Sequence, residues 1–166
     1  TLTFLPVFDT RKGQGIIASR IGLEANAVTF DHDFNFFQYV AEKKPFLPKL
    51  KCILVDEAHF LNKHHVEQLA AIVDHFNLPV LTYGLRTDFQ GELFEGSKYL
   101  LGWAEELIEI KTICECGSKA TMNLRVDAHG NAVREGAQVE IGGNERYISM
   151  CRKHFFEKMR VVAEAA

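Results

Sequence analysis

The run from Lys51 to Leu61, KCILVDEAHFL, constrains the fold of this chain more than any other stretch. Four β-prone residues, Cys52, Ile53, Leu54 and Val55, lead straight into two adjacent carboxylates, Asp56 and Glu57. A short continuous apolar run that stops at charge reads as a strand buried on both faces, the kind found in parallel sheets covered by helices. Open α/β sheets bind ligands at the carboxyl ends of their strands, so both acids are delivered to a ligand-binding edge. In enzymes of nucleotide phosphates an acid at such a strand end holds Mg2+, directly or through water. A neighbouring acid can take the proton of the attacking hydroxyl or water. The plainer alternative is a strand that ends at a charged turn.

Length and composition bound the rest. A chain of 166 residues, 47% hydrophobic with 13 phenylalanines, suits one domain or one domain with a small appendage. The net charge of −3 and pI of about 6.1 disfavour a broad electrostatic grip on a nucleic acid polymer, so a compact ligand fits better. No apolar run approaches the roughly 20 residues of a membrane span and no signal peptide pattern opens the chain, which predicts no membrane partner and a cytoplasmic location. The opening run LTFLPVFD reads as a strand whose polar edges need partners from elsewhere, and a preceding segment is expected.

Along the chain, Arg11 and Arg20 flank a loop holding Gly13 and Gly15, and are candidates to face a phosphate as against solvated surface arginines. Ala27 to Phe30 reads as a short strand. Asp31 or Asp33 is expected to cap a helix through FNFFQYVAEKK, with Phe34, Phe37 and Val40 on one face and Pro45 and Pro48 ending it. Asn62 is expected to cap KHHVEQLAAIVDHFN, with a stripe of Val66, Leu69, Ala70, Val73 and Phe76, and with His64, His65 and His75 at the surface or boundary. VLTYGL is a second buried strand, completing a parallel crossover. The loop LRTDFQGELFEGS carries Phe89 and Phe94, which either fold over something flat or dock on the core. Ser97 is expected to cap KYLLGWAEE, and LIEIKTI to form a further strand. From there short strands replace helices, with a hairpin turn at DAHGN and a terminal helix from Lys153 to about Val162. The expected division is an α/β domain over 1–111 and a small appended domain over 112–166.

Cys114 and Cys116 make one knuckle, and Cys151 with His154 makes a second, CRKH. Three thiolates and one imidazole satisfy a tetrahedral Zn2+, clamping a loop of about 34 residues that is too small to bury an adequate core alone. With all four positions filled the zinc is structural. The alternative is reduced thiols that merely pack.

The ordered series DTR, SRIG, VDEAHF, YGLRTDFQGELF, TICECG, IGGNERY and CRKHF resembles the bacterial members of the thymidine kinase family across nearly the whole chain. The resemblance implies a P-loop α/β domain with a zinc-bearing subdomain whose lasso loop closes over a nucleoside. It implies transfer of the γ-phosphate of ATP to the 5′-hydroxyl of thymidine or deoxyuridine, in pyrimidine salvage for DNA synthesis. By the same resemblance Glu57 is the general base and Asp56 the acid associated with Mg2+, with Ala58 and His59 completing that nucleotide-binding turn. Phe60, Leu85, Phe89 and Phe94 match positions around the pyrimidine. Tyr147 and Asn123 match lasso residues at the nucleoside, and Asp9, Arg11 and Arg20 the segment near sugar and phosphates. Cys114, Cys116, Cys151 and His154 match the bacterial zinc set. A homotetramer and feedback binding of thymidine triphosphate are further implications.

One departure stands out: the 166 residues contain no GxxxxGK[ST], the loop that cradles ATP phosphates. Such an element is expected upstream, and without it these residues should bind ATP poorly. Two rivals remain. DEAH also spells a helicase motif that uses the same acids on Mg2+ and water. A non-catalytic zinc ribbon would use the CxC knuckle and GGNERY as a binding surface.

Overall fold

The computed structural model describes residues 1–10, 13–19, 21–138 and 146–160. They pack as two compact units. The first comprises Thr1–Arg86 with Phe94–Ala104, the second Thr87–Leu93 with Glu105–Ala166. The second unit thus takes in 87–93 and 105–111 beside the expected 112–166.

The first unit is a parallel sheet of four strands between helices. Its strands are β1 (Leu2–Pro6), β4 (Val28–Phe30), β5 (Ile53–Val55) and β6 (Val80–Thr82), in the order β4-β1-β5-β6. Leu2 pairs with Ile53, Phe4 with Val28 and Val55, and Ile53 with Val80. The opening strand therefore lies inside the sheet, its edges paired by β4 on one side and β5 on the other. A separate hairpin joins β2 (Ile16–Ala18) to β3 (Glu24–Asn26).

Helices α1 (Phe36–Lys43), α2 (Lys63–Phe76) and α3 (Glu95–Trp103) complete this unit. Its core gathers Phe4, Phe30, Phe36, Val40, Ile53, Val55, Leu69 and Ile72. The cap of α1 is Asn35, whose side chain accepts from the Gln38 N–H at 2.8 Å, and not Asp31 or Asp33. Starting the helix there adds Phe36 to the inward face, one turn before Val40, which is buried as expected, while Phe34 and Phe37 pack partly buried against the same core. Asn62 caps α2 as expected. The buried stripe of α2 is rotated to His65, Val66, Gln68, Leu69 and Ile72, because the Gln68 side chain accepts from the Phe36 N–H at 2.7 Å and ties α1 to α2. His65 is consequently buried and not a surface residue. Ser97 does not cap α3; its hydroxyl is taken up by the Leu85 carbonyl at 2.5 Å, and Phe94 precedes the helix without a side-chain cap.

The second unit holds two small antiparallel pairs, β7 (Thr112–Ile113) with β8 (Lys119–Ala120), and β9 (Met122–Arg125) with β10 (Tyr147–Met150), followed by α4 (Arg152–Arg160). Leu124, Val126, Met150, Phe155, Cys114 and Cys151 form its core. The DAHGN turn is present: Asp127 N donates to the Asn131 carbonyl at 2.9 Å, and its carboxylate accepts from the His129 and Asn131 N–H groups. Of LIEIKTI only Thr112–Ile113 pairs, and Leu107, Ile108 and Ile110 are exposed. Among the described residues no helix is long and apolar enough to cross a membrane.

Candidate functional site

At the carboxyl end of β5 the Asp56 N–H donates to the Phe4 carbonyl at 3.0 Å, carrying the β5–β1 alignment one residue beyond Val55. The backbone then reverses at Glu57, which is left-handed with φ 50° and ψ 37°. Among the described residues the only other non-glycine residue with positive φ is Asn77, the C-cap of α2, where asparagine is ordinary. A glutamate in this region costs on the order of 1 kcal/mol and persists only where its surroundings over-determine it. Those surroundings are visible. The Asp56 carboxylate accepts from the Glu57 N–H at 2.9 Å, and the Ala58 N–H donates to the Tyr83 carbonyl at 2.7 Å. A single 3-10 turn, Ala58–Phe60, follows.

Two glycines press on that turn. A Cβ on Gly84 would lie 2.8 Å from the His59 nitrogen, and one on Gly96 would lie 2.6 Å from the Ala58 carbonyl and 2.7 Å from that of Leu61. Ala58 and His59 are buried between them, while Asp56 and Glu57 remain partly open. Phe60 stands edge-on to Phe8 at 4.8 Å and to Phe94 at 5.7 Å, so the acids share the strand end with an aromatic group. Leu85, at 43% exposure, leaves β6 beside them. Asp9, partly buried, donates its N–H to the Pro6 carbonyl after β1. Thus the structure brings Asp56, Glu57, Ala58, His59, Phe60, Leu85 and Phe94 together in the first unit. Arg11 and Arg20 lie outside the described residues.

The remaining candidates belong to the second unit. Phe89 is 1% exposed, with the Arg125 guanidinium 3.8 Å from its ring centroid. Its loop is organised by buried Asp88, whose carboxylate accepts from the Gln90 and Glu92 N–H groups and from the Gln138 amide. Asn123 and Tyr147 lie on paired strands: Tyr147 faces Arg125 and Ser149 faces Asn123. Strand alternation puts Asn123 and Tyr147 on the same face as diagonal neighbours.

Cys114, Cys116, Cys151 and His154 converge, their ligand atoms all within 4.8 Å of one another. Cys114 Sγ is 3.4 Å from His154 Nδ1, and Cys116 Sγ 3.9 Å from Cys151 Sγ. Tetrahedral zinc with ordinary bond lengths asks for separations of roughly 3.5–3.8 Å, so the donor set fits such an ion with small adjustment. The knuckle is shaped by the Gly117 N–H donating to the Cys114 carbonyl at 2.9 Å, with Gly117 at φ 79°. Backbone N–H groups of Cys116 and Cys151 aimed at the Cys114 sulfur lower its thiol to about 6, which favours the thiolate that a metal binds. The Cys151 thiol is raised: the His154 N–H favours its thiolate, but burial and the neighbouring Cys114 and Cys116 sulfurs outweigh it.

Sequence reasoning missed Gly84, Gly96, Asp88 and Arg125. Asp88 left a readable sign, an aspartate preceding Gly91 by three residues, which is Asx-turn chemistry. The two glycines left none, since close approach of backbones distant in sequence has no local signature.

A family model described as Thymidine kinase matches residues 1–155. A protein of Coxiella burnetii named thymidine kinase is 59% identical over 155 residues, covering 93% of this chain and 79% of its own. Thymidine kinases of Zymomonas mobilis and Vibrio vulnificus are 58% and 56% identical, covering 96% and 94% of this chain and 82% and 81% of theirs.

Proposed function

The chain belongs to the thymidine kinase family, and from that premise we propose that it transfers the γ-phosphate of ATP to the 5′-hydroxyl of thymidine. The observation that carries the reading is the Asp56–Glu57 pair at the carboxyl end of β5, in a chain that matches the family over residues 1–155. Neither rival finds support: a helicase fragment and a free-standing zinc ribbon each account for part of a chain that one kinase family spans.

Glu57 is the general base. A primary alcohol ionises far above neutral pH, so a carboxylate within hydrogen-bond reach must accept its proton as the phosphoryl group arrives. Asp56 associates with Mg2+, whose charge offsets that developing on the phosphoryl oxygens. Phe60 and Leu85 provide apolar surface for the pyrimidine, buried Phe94 backs that surface by packing on Phe60, and buried Phe89 anchors the loop it belongs to. Asn123 and Tyr147 are assigned to the nucleoside, and Asp9, Arg11 and Arg20 to sugar and phosphates, on resemblance alone. Cys114, Cys116, Cys151 and His154 hold a structural Zn2+. A cytoplasmic homotetramer that thymidine triphosphate inhibits completes the proposal.

The test is Glu57→Gln in the full-length protein. Thymidine should still raise the melting temperature by mass action, while turnover falls by about 100-fold or more. Turnover at the parental level would refute the base assignment. Absence of any thymidine-dependent stabilisation of the parent protein would refute the reading as a whole.

A further inference from the structure

His59 falls by resemblance within the nucleotide-binding turn, yet its imidazole is only 4% exposed and faces into the fold. It is packed against Phe60 at 4.0 Å and Phe94 at 4.5 Å between centroids, and Gly84 is close against its backbone. Its Nδ1 occupies a junction. The Leu85 N–H donates to it at 3.3 Å, and the Glu57 Oε2 lies 3.6 Å from the same atom. A backbone N–H can only donate, so Nδ1 is the acceptor and the ring proton is on Nε2. In that tautomer His59 cannot neutralise the carboxylate by donating to it. The lone pair instead opposes inward rotation of Oε2.

We propose that His59 is a positioning residue that sets, through one nitrogen, both the orientation of the Glu57 carboxylate and the backbone at Leu85. The proposal rests on the reading of Glu57 as general base. Two attachments then hold the strained turn to the segment leaving β6: the Ala58 N–H on the Tyr83 carbonyl, and the Leu85 N–H on His59. The first fixes the backbone that carries the acid. The second fixes the side-chain wall beside the acid and the start of the loop that bears Leu85. The opposite tautomer, with its proton on Nδ1, would release Leu85 and engage Glu57, occupying the oxygen the reaction needs. A displacement of about 1 Å in a reacting group can cost on the order of 100-fold in rate, so this choice is consequential for turnover.

The experiment has two arms, both on the full-length protein. Nitrogen NMR of histidine-labelled protein at neutral pH, with the His59 signal assigned by its loss in His59→Asn, should show the tautomer protonated at Nε2; protonation at Nδ1 would overturn the proposal. The second arm compares His59→Leu, which removes the acceptor, with His59→Asn, whose Oδ1 replaces Nδ1. His59→Leu should lower kcat by more than about tenfold with KM for ATP unchanged, and His59→Asn should recover at least about tenfold of that loss. Parental kcat in His59→Leu, or equal kcat in the two variants, would show that the ring only fills space. Should His59→Leu fail to fold, the tautomer and the kcat of His59→Asn decide, a loss beyond about tenfold in the latter counting against an acceptor role. Retained turnover in Glu57→Gln would remove the base while leaving the tautomer result standing, so the two failures are separable.

Discussion

His65 is 1% exposed although His64 and His75, on the same helix, lie in solvent. It completes a reciprocal cap: its N–H donates to the Asn62 side chain at 2.8 Å, and its Nδ1 accepts from the Asn62 N–H at 3.3 Å. That role requires a neutral ring. Burial accordingly lowers its pKa below the ordinary 6.5, with His32 and His64 opposing a positive charge there as well. The unfolded chain therefore binds a proton first as pH falls, and stability is lost from about pH 6.5 downward until the folded ring is itself protonated. His65→Gln keeps an acceptor at the third helical position but does not titrate. The expected outcome is a shallower decline of melting temperature between about pH 7.5 and pH 5.5 than in the parent; parallel declines would assign the acid sensitivity elsewhere. Asn62 as a cap was legible because asparagine before an amphipathic run is a common signal. The burial of His65 was not, because the usual third-position partner is glutamate or glutamine, and three histidines on one helix read as a wet face.

Helix α3 carries two glycines whose surroundings are opposite. Gly102 has nothing within 4 Å of where a Cβ would sit, whereas Gly96 meets the carbonyl oxygens of Ala58, His59 and Leu61, the nearest at 2.6 Å. Helix propensity alone favours alanine over glycine by about 1 kcal/mol at either site. At Gly102 that preference should act unopposed, so Gly102→Ala should raise the melting temperature by about 2–4 °C. At Gly96 the obstructing atoms are backbone and cannot swing away, so Gly96→Ala must push α3 off the turn that bears Glu57. A loss of about 1–3 kcal/mol in denaturant melts, with reduced turnover, is expected. Equal shifts of one sign in the two variants would contradict this account. The alternation of strand and helix that builds the sheet was written in the hydrophobic runs and the acids after Val55. That 107–111 forms no strand was not: these residues alternate like a strand, but strand formation is decided by whether a partner edge is available.

At the scale of the whole molecule the two units differ in what holds them together. The first encloses a continuous core around Phe4, Phe36, Ile53, Val55 and Ile72. In the second, two of the buried core residues, Cys114 and Cys151, are themselves candidate metal ligands, and its strands are two to four residues long. The assignment of Thr87–Leu93 to the second unit and of Phe94–Ala104 to the first was beyond the sequence, since one loop composition serves either side. Small units of this kind commonly fold only with their metal, because binding free energy of about 10 kcal/mol or more replaces missing burial. Stripping zinc with a chelator should therefore act unevenly along the chain. Amide hydrogen exchange should lose protection across β7 to α4, while β1 and β5 stay protected; His154→Ala should reproduce that pattern and lower the zinc content. Acidification should release the metal as well, because every ligand must give up a proton to bind it, with Cys114 holding its thiolate to lower pH than an ordinary thiol. Uniform protection before and after chelation, or an undiminished zinc content in His154→Ala, would mean that the four residues meet without holding an ion.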